Sequence, residues 1–122
     1  MSFVPQAVLD SLAELTREQA DAQPFGIVRV TDDGVVTLYN RWESGLSGVA
    51  VSSAEGRNFF TQVAPCTNNR LVFGKFRDGV LRGELDAEFN YTFTYKMKPT
   101  NVALRLYRHA PTATNWVFVG LR

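Results

Sequence analysis

Between Leu85 and Met97 apolar and polar residues alternate without a break. Leu85, Ala87, Phe89, Tyr91, Phe93, Tyr95 and Met97 interleave with Asp86, Glu88, Asn90, Thr92, Thr94 and Lys96. A period of two puts the first set on one face of a strand and the second on the other. The segment therefore predicts a long strand with one buried face. Lys98-Pro99-Thr100 interrupts it as a turn, Val102, Leu104 and Leu106 begin a second alternating strand, and Trp116-Val117-Phe118-Val119 reads as a third. Upstream, Phe25-Gly26-Ile27-Val28-Arg29-Val30 and Val35-Val36-Thr37-Leu38-Tyr39 flank the tight-turn signal Asp32-Asp33-Gly34, which predicts a hairpin.

The remaining segments have a different character. Pro5 suits a first helical turn, and Val8, Leu12 and Leu15 recur at helical spacing until Gln23-Pro24 ends the pattern. Residues 1–24 are thus expected to form an N-terminal helical cap with a narrow apolar stripe. Such an element buries modest area and detaches more readily than a core element. Residues 25–122 form the core domain. From Asn40 to about Arg82 the chain reads as helical or irregular, with a helix expected from about Phe73 to Leu81. The fold class that follows is α+β, with a central five-stranded antiparallel sheet flanked by helices.

Composition removes several functions. One Cys and one His among 122 residues exclude an intrachain disulfide, a zinc cluster of thiolates and a multi-histidine metal site. Thirteen basic against twelve acidic residues give no bulk attraction to nucleic acid or an acidic membrane. No apolar run approaches the roughly 20 residues of a membrane span, and no secretory signal opens the chain. A cytoplasmic domain, monomeric or weakly dimeric, is expected.

Three features remain that can carry chemistry. Cys66 is the only thiol, in Ala64-Pro65-Cys66-Thr67. A lone Cys is commonly a small buried hydrophobe, and a nucleophilic one wants a base beside it. Nothing in the spacing brings His109 there, so an enzyme is not expected. Tyr39 and Glu43 are four apart and face one way if the segment turns helically. Otherwise Tyr39 is core and Glu43 is solvated. Phe59, Phe60, Phe89, Tyr91, Phe93 and Met97 fit either a pocket wall or plain core.

Taken together, these segments resemble photoactive yellow protein. The resemblance is carried by Tyr39-Asn40-Arg41-Trp42-Glu43, Gly56-Arg57-Asn58-Phe59-Phe60, Val63-Ala64-Pro65-Cys66-Thr67, the run Glu88 to Met97 followed by Pro99-Thr100, and Trp116-Val117-Phe118-Val119. It covers nearly the whole chain and implies a PAS fold. It also implies a blue-light photoreceptor with p-coumaric acid (4-hydroxycinnamic acid) held as a thioester on Cys66. Tyr39 and a protonated Glu43 would donate hydrogen bonds to the chromophore phenolate, with Ser47 orienting Tyr39. Val28, Val49, Phe59, Val63, Ala64, Thr67, Phe93, Tyr95 and Met97 would line the pocket.

The implied photocycle is trans–cis isomerisation, proton transfer from Glu43 and loosening of the cap, with Met97 aiding the return to trans. Ser47 stands where the family typically has Thr, and Val49 where it commonly has Arg. Asn68 and Asn69 follow Thr67 where it often has an acid. The competing expectation is a chromophore-free PAS interaction or sensor module, and beyond that a small thiol enzyme.

Overall fold

The computed structural model describes residues 2–94 and 98–122. Five strands, β1 (Gly26–Val30), β2 (Val36–Tyr39), β3 (Asp86–Phe93), β4 (Thr100–His109) and β5 (Thr114–Leu121), pair antiparallel in the spatial order β2-β1-β5-β4-β3. The predicted hairpin is β1–β2. The Thr31 N–H donates to Val35 O, and Gly34 takes the positive φ of 93° that the tight turn requires.

The alternating segment becomes β3, an edge strand paired with β4 from Asp86 opposite Tyr107 to Phe93 opposite Thr100. Its exposure alternates residue by residue, since one face meets solvent. Tyr95 and Met97, where the expected strand continues, lie outside the described residues. β5 sits at the centre and is buried on both faces. Trp116 and Phe118 point into one core and Val117 and Val119 into the other. A strand covered on both sides reads as a continuous apolar run, as Trp116-Val117-Phe118-Val119 does.

Three short pieces build the N-terminal element, where one continuous helix was expected: α1 (Gln6–Asp10), a 3₁₀ turn (Leu12–Glu14) and α2 (Arg17–Asp21). The Ser11 hydroxyl donates to Val8 O just past the end of α1, and a reciprocal Thr16–Gln19 capping box starts α2. Its apolar face is also broader than the expected stripe. Val4, Val8, Leu9 and Leu12 are all buried, in one cluster with Phe25, Ile27, Leu38, Trp116 and Phe118.

The opposite face carries α3 (Arg41–Ser47), α4 (Val51–Ala54) and α5 (Lys75–Arg82). α5 starts two residues later than expected because a π-helical turn, Arg70–Gly74, precedes it. The Asn69 side chain accepts from Val72 N–H and caps that turn. Phe73 on that turn stacks on Phe60 at 4.6 Å between ring centroids, and Phe76 of α5 lies 4.7 Å from the same ring.

Candidate functional site

Asn40 decides where Tyr39 and Glu43 go. It caps the N-terminus of α3 and is wholly buried. Its Oδ1 accepts from the N–H groups of Ile27 and Glu43, at 2.9 and 3.1 Å. Its Nδ2 donates to the carbonyls of Ala20 and Phe25, at 2.9 and 3.0 Å. β2 therefore ends at Tyr39 and α3 begins immediately after it. Glu43 and Ser47, one helical turn apart, face the sheet together. Gly48, with φ 76°, ends the helix.

Tyr39 Oη and Ser47 Oγ are 2.8 Å apart, and Val49 N–H donates to the same Ser47 oxygen at 3.1 Å. The Ser47 hydroxyl thus holds the Tyr39 hydroxyl in place, and either of the two can donate to the other. Glu43 is 1% exposed, and its Oε1 has no hydrogen-bond partner among the described residues. An acid so placed is held neutral: burial pushes its pKa up to about 8. Burial pushes the Tyr39 hydroxyl upward as well, and Glu43 adds to this once it is ionised at high pH. Glu43 is thus in the core beside Tyr39 rather than in solvent.

Cys66 comes from the other side, on the 3₁₀ turn Pro65–Thr67 that follows a π-helical turn, Phe59–Val63. Asn58 caps that π turn by accepting from the N–H groups of Phe60 and Thr61. The Tyr91 hydroxyl and Asn69 Nδ2 both donate to Cys66 O, and Asn69 Nδ2 also donates to Tyr91 Oη at 2.7 Å. The buried Thr67 hydroxyl donates to Ala64 O at 2.6 Å. The two bonds through Tyr91 tie the thiol-bearing turn to β3, and the other two brace the turn itself.

Tyr39, Glu43, Ser47, Val63, Ala64, Cys66 and Phe93 line one shared cavity of about 10 Å³, the room of a single water. Val28 and Phe59 are buried in the core cluster behind it, and Val49 packs on that cluster half-buried. Thr67 is buried beneath Cys66. Tyr95 and Met97 lie outside the described residues. Arg41 is not at the cavity; it lines an outer groove with Arg17, Asp21 and Glu55. His109 is near the opposite end of β4 from Thr100, which pairs with Phe93, a separation of roughly 30 Å at ~3.3 Å per residue.

Sequence reasoning assigned no role to Asn40, noted Asn69 only as a departure from the family's acid, and offered Tyr91 only as pocket wall or core, not as a hydrogen-bond partner of the Cys66 turn. The first was legible as an Asn three residues before an acid at a strand-to-helix junction. The other two depend on β3 meeting the turn, which no local pattern announces.

An unpartnered buried acid, a hydroxyl pair and a thiol facing one cavity fit a small molecule that joins to sulfur at one end and accepts hydrogen bonds at the other. Among the described residues no helix is long and apolar enough to cross a membrane, and no cluster of potential metal ligands is present. No protein-family model matches the chain. The photoactive yellow protein of Halochromatium salexigens is 36% identical over 117 residues, covering 96% of this chain and 94% of the relative. Among solved structures, the photoactive yellow protein domain of the sensor histidine kinase Ppr from Rhodospirillum centenum superposes with a TM-score of 0.85. It is 40% identical and covers 91% of this chain and 97% of that domain. The PAS domain of the quorum-sensing receptor RpfR from Cronobacter turicensis shares the fold at 17% identity, with a TM-score of 0.57 over 81% of this chain and 94% of that domain.

Proposed function

The chain belongs to the photoactive yellow protein family, and we propose that it is a blue-light photoreceptor carrying p-coumaric acid as a thioester on Cys66. The observation that carries the reading is the buried, unpartnered Glu43 Oε1 in the cavity that also receives Tyr39 and the only thiol. When bound, the group supplies visible absorption, a phenolic oxygen and a double bond that light turns from trans to cis.

The chain's own residues do the rest. A phenol has a pKa of about 10 in water, and burial alone raises it. Tyr39 and protonated Glu43 are the donors able to offset that, and Ser47 orients Tyr39. Val63, Ala64 and Phe93 form the surrounding wall, backed by Val28, Val49, Phe59 and Thr67. Glu43 holds a transferable proton at its carboxyl. Its departure leaves a carboxylate in an apolar pocket, a state disfavoured by several kcal/mol. Asn40 joins the Glu43 N–H to the Ala20 carbonyl, so stress at α3 reaches the N-terminal cap, residues 1–24, which loosens from the core, residues 25–122.

The cavity of about 10 Å³ favours a second reading, a chromophore-free PAS module, because an aromatic acid enters only if the lining side chains part. One experiment separates the two. Purified protein is mixed with activated p-coumaric acid, and its visible spectrum is recorded before and after a blue flash. A stable band that bleaches and recovers in the dark is expected, and no band in Cys66→Ala. Loading that persists without Cys66 sinks the thioester, and a colourless wild-type protein favours the module.

A further inference from the structure

β1 presents Gly26, Val28 and Val30 to the side of the sheet that holds the site, and the first of these has no side chain. Gly26 pairs with Val119 of β5. It is not among the residues with positive φ, so conformational freedom does not explain a glycine there. Space does. A Cβ on Gly26 would lie 2.2 Å from Glu43 Oε1, 3.2 Å from Glu43 Cδ and 3.0 Å from Val119 Cβ. The first distance is deep inside van der Waals contact, so the carboxyl of α3 fills the volume that any other residue on β1 would occupy.

We propose that Gly26 is a positioning residue for Glu43, its missing side chain forming the seat in which the carboxyl is held buried against the sheet. The inference deepens the photoreceptor reading and rests on it for its bearing on light, but the contact itself does not. Among the described residues, the other titratable groups lining the cavity are Tyr39 and Cys66, and no Lys, Arg or His lines it. None of these described groups supplies a cation to compensate an ionised Glu43. Its proton is therefore kept by depth of burial, and depth is what the glycine permits. A methyl group at position 26 drives the carboxyl out of its seat to a place with better hydration or with the hydroxyls of Tyr39 and Ser47 as partners. Either environment stabilises the anion.

The test is a carboxyl titration of the unloaded chain by NMR with ¹³C-labelled Glu. In Gly26→Ala the Glu43 midpoint is expected to fall by about one pH unit or more, a tenfold or larger change in proton affinity. Val119→Ala alone is expected to leave it in place, and the double variant Gly26→Ala/Val119→Ala to keep the shift. A wild-type midpoint in Gly26→Ala overturns the proposal. So does its restoration in the double variant, since the new methyl would then be meeting Val119 rather than Glu43. Where Gly26→Ala does not fold, Gly26→Ala/Glu43→Ala decides: folding restored supports the seat, and failure overturns it. The titration needs no pigment, so a wild-type chain that fails to load counts against the photoreceptor reading alone.

Discussion

Glu43 links stability to pH through a single side chain. Its folded pKa is raised to about 8 from an ordinary 4.5 by burial. Between those values the unfolded chain releases the proton while the folded chain keeps it, so stability falls as pH rises through the window and levels off above about 8. The decline is on the order of a few kcal/mol. Glu43→Gln is expected to flatten it, measured by urea unfolding of the unloaded chain from pH 4 to 9. In the loaded protein the same variant is expected to keep the pigment and shift its band to the red, because a weaker donor leaves more charge on the ring.

The Tyr39–Glu43 spacing was readable, but local pattern left Glu43 solvated and only the family resemblance put it in the pocket as a neutral acid. A carboxylate in Arg41–Ser47 looks solvated until β1 is laid beneath it with a glycine at the point of contact. Contacts between elements so far apart in sequence leave no local signature.

The broken N-terminal element shows what helical spacing misses. Val8, Leu12 and Leu15 share a helical period, but Ser11 closes one turn and Thr16 opens another. The Thr16-x-x-Gln19 capping box was present in the sequence as a start signal and went unused. The long alternation at β3 was legible because an edge strand with one wet face must alternate.

α2 also reaches the site by a polar route. Glu55, just past α4, accepts from Tyr39 N–H at 3.0 Å with the oxygen that pairs with Arg17. The ion pair is partly exposed, and such pairs contribute about 0–1 kcal/mol. Arg17→Ala is therefore expected to have a small, salt-sensitive effect. Glu55→Ala, which strips a partly buried N–H of its acceptor, is expected to lose about 1–3 kcal/mol. Glu55→Gln should fall near Arg17→Ala if the amide oxygen replaces the carboxylate at Tyr39, as thermal melts at low and high salt will show.

At the scale of the molecule the sheet is a partition. Each of its faces carries its own buried cluster, one with the cap and one with the site. A core truncation should therefore act on one side first. Leu12→Ala is expected to weaken the cap cluster by about 2–4 kcal/mol and to speed amide exchange in α1 and α2. The visible band of the loaded protein should stay in place. A band shift equal to that of Glu43→Gln would show the partition to be leaky.

The central place of β5 also sets a timetable for synthesis. β1 emerges from the ribosome early, yet the neighbour that completes it, with Val119 opposite Gly26, is made only after every other strand. Long-range pairing of this kind forms slowly and late. Cys66 is therefore exposed to the surrounding cell as an open thiol well before Glu43 has a floor beneath it. Whatever attaches there productively must arrive after translation has passed β5, and an electrophile that arrives sooner meets a cysteine with no pocket around it.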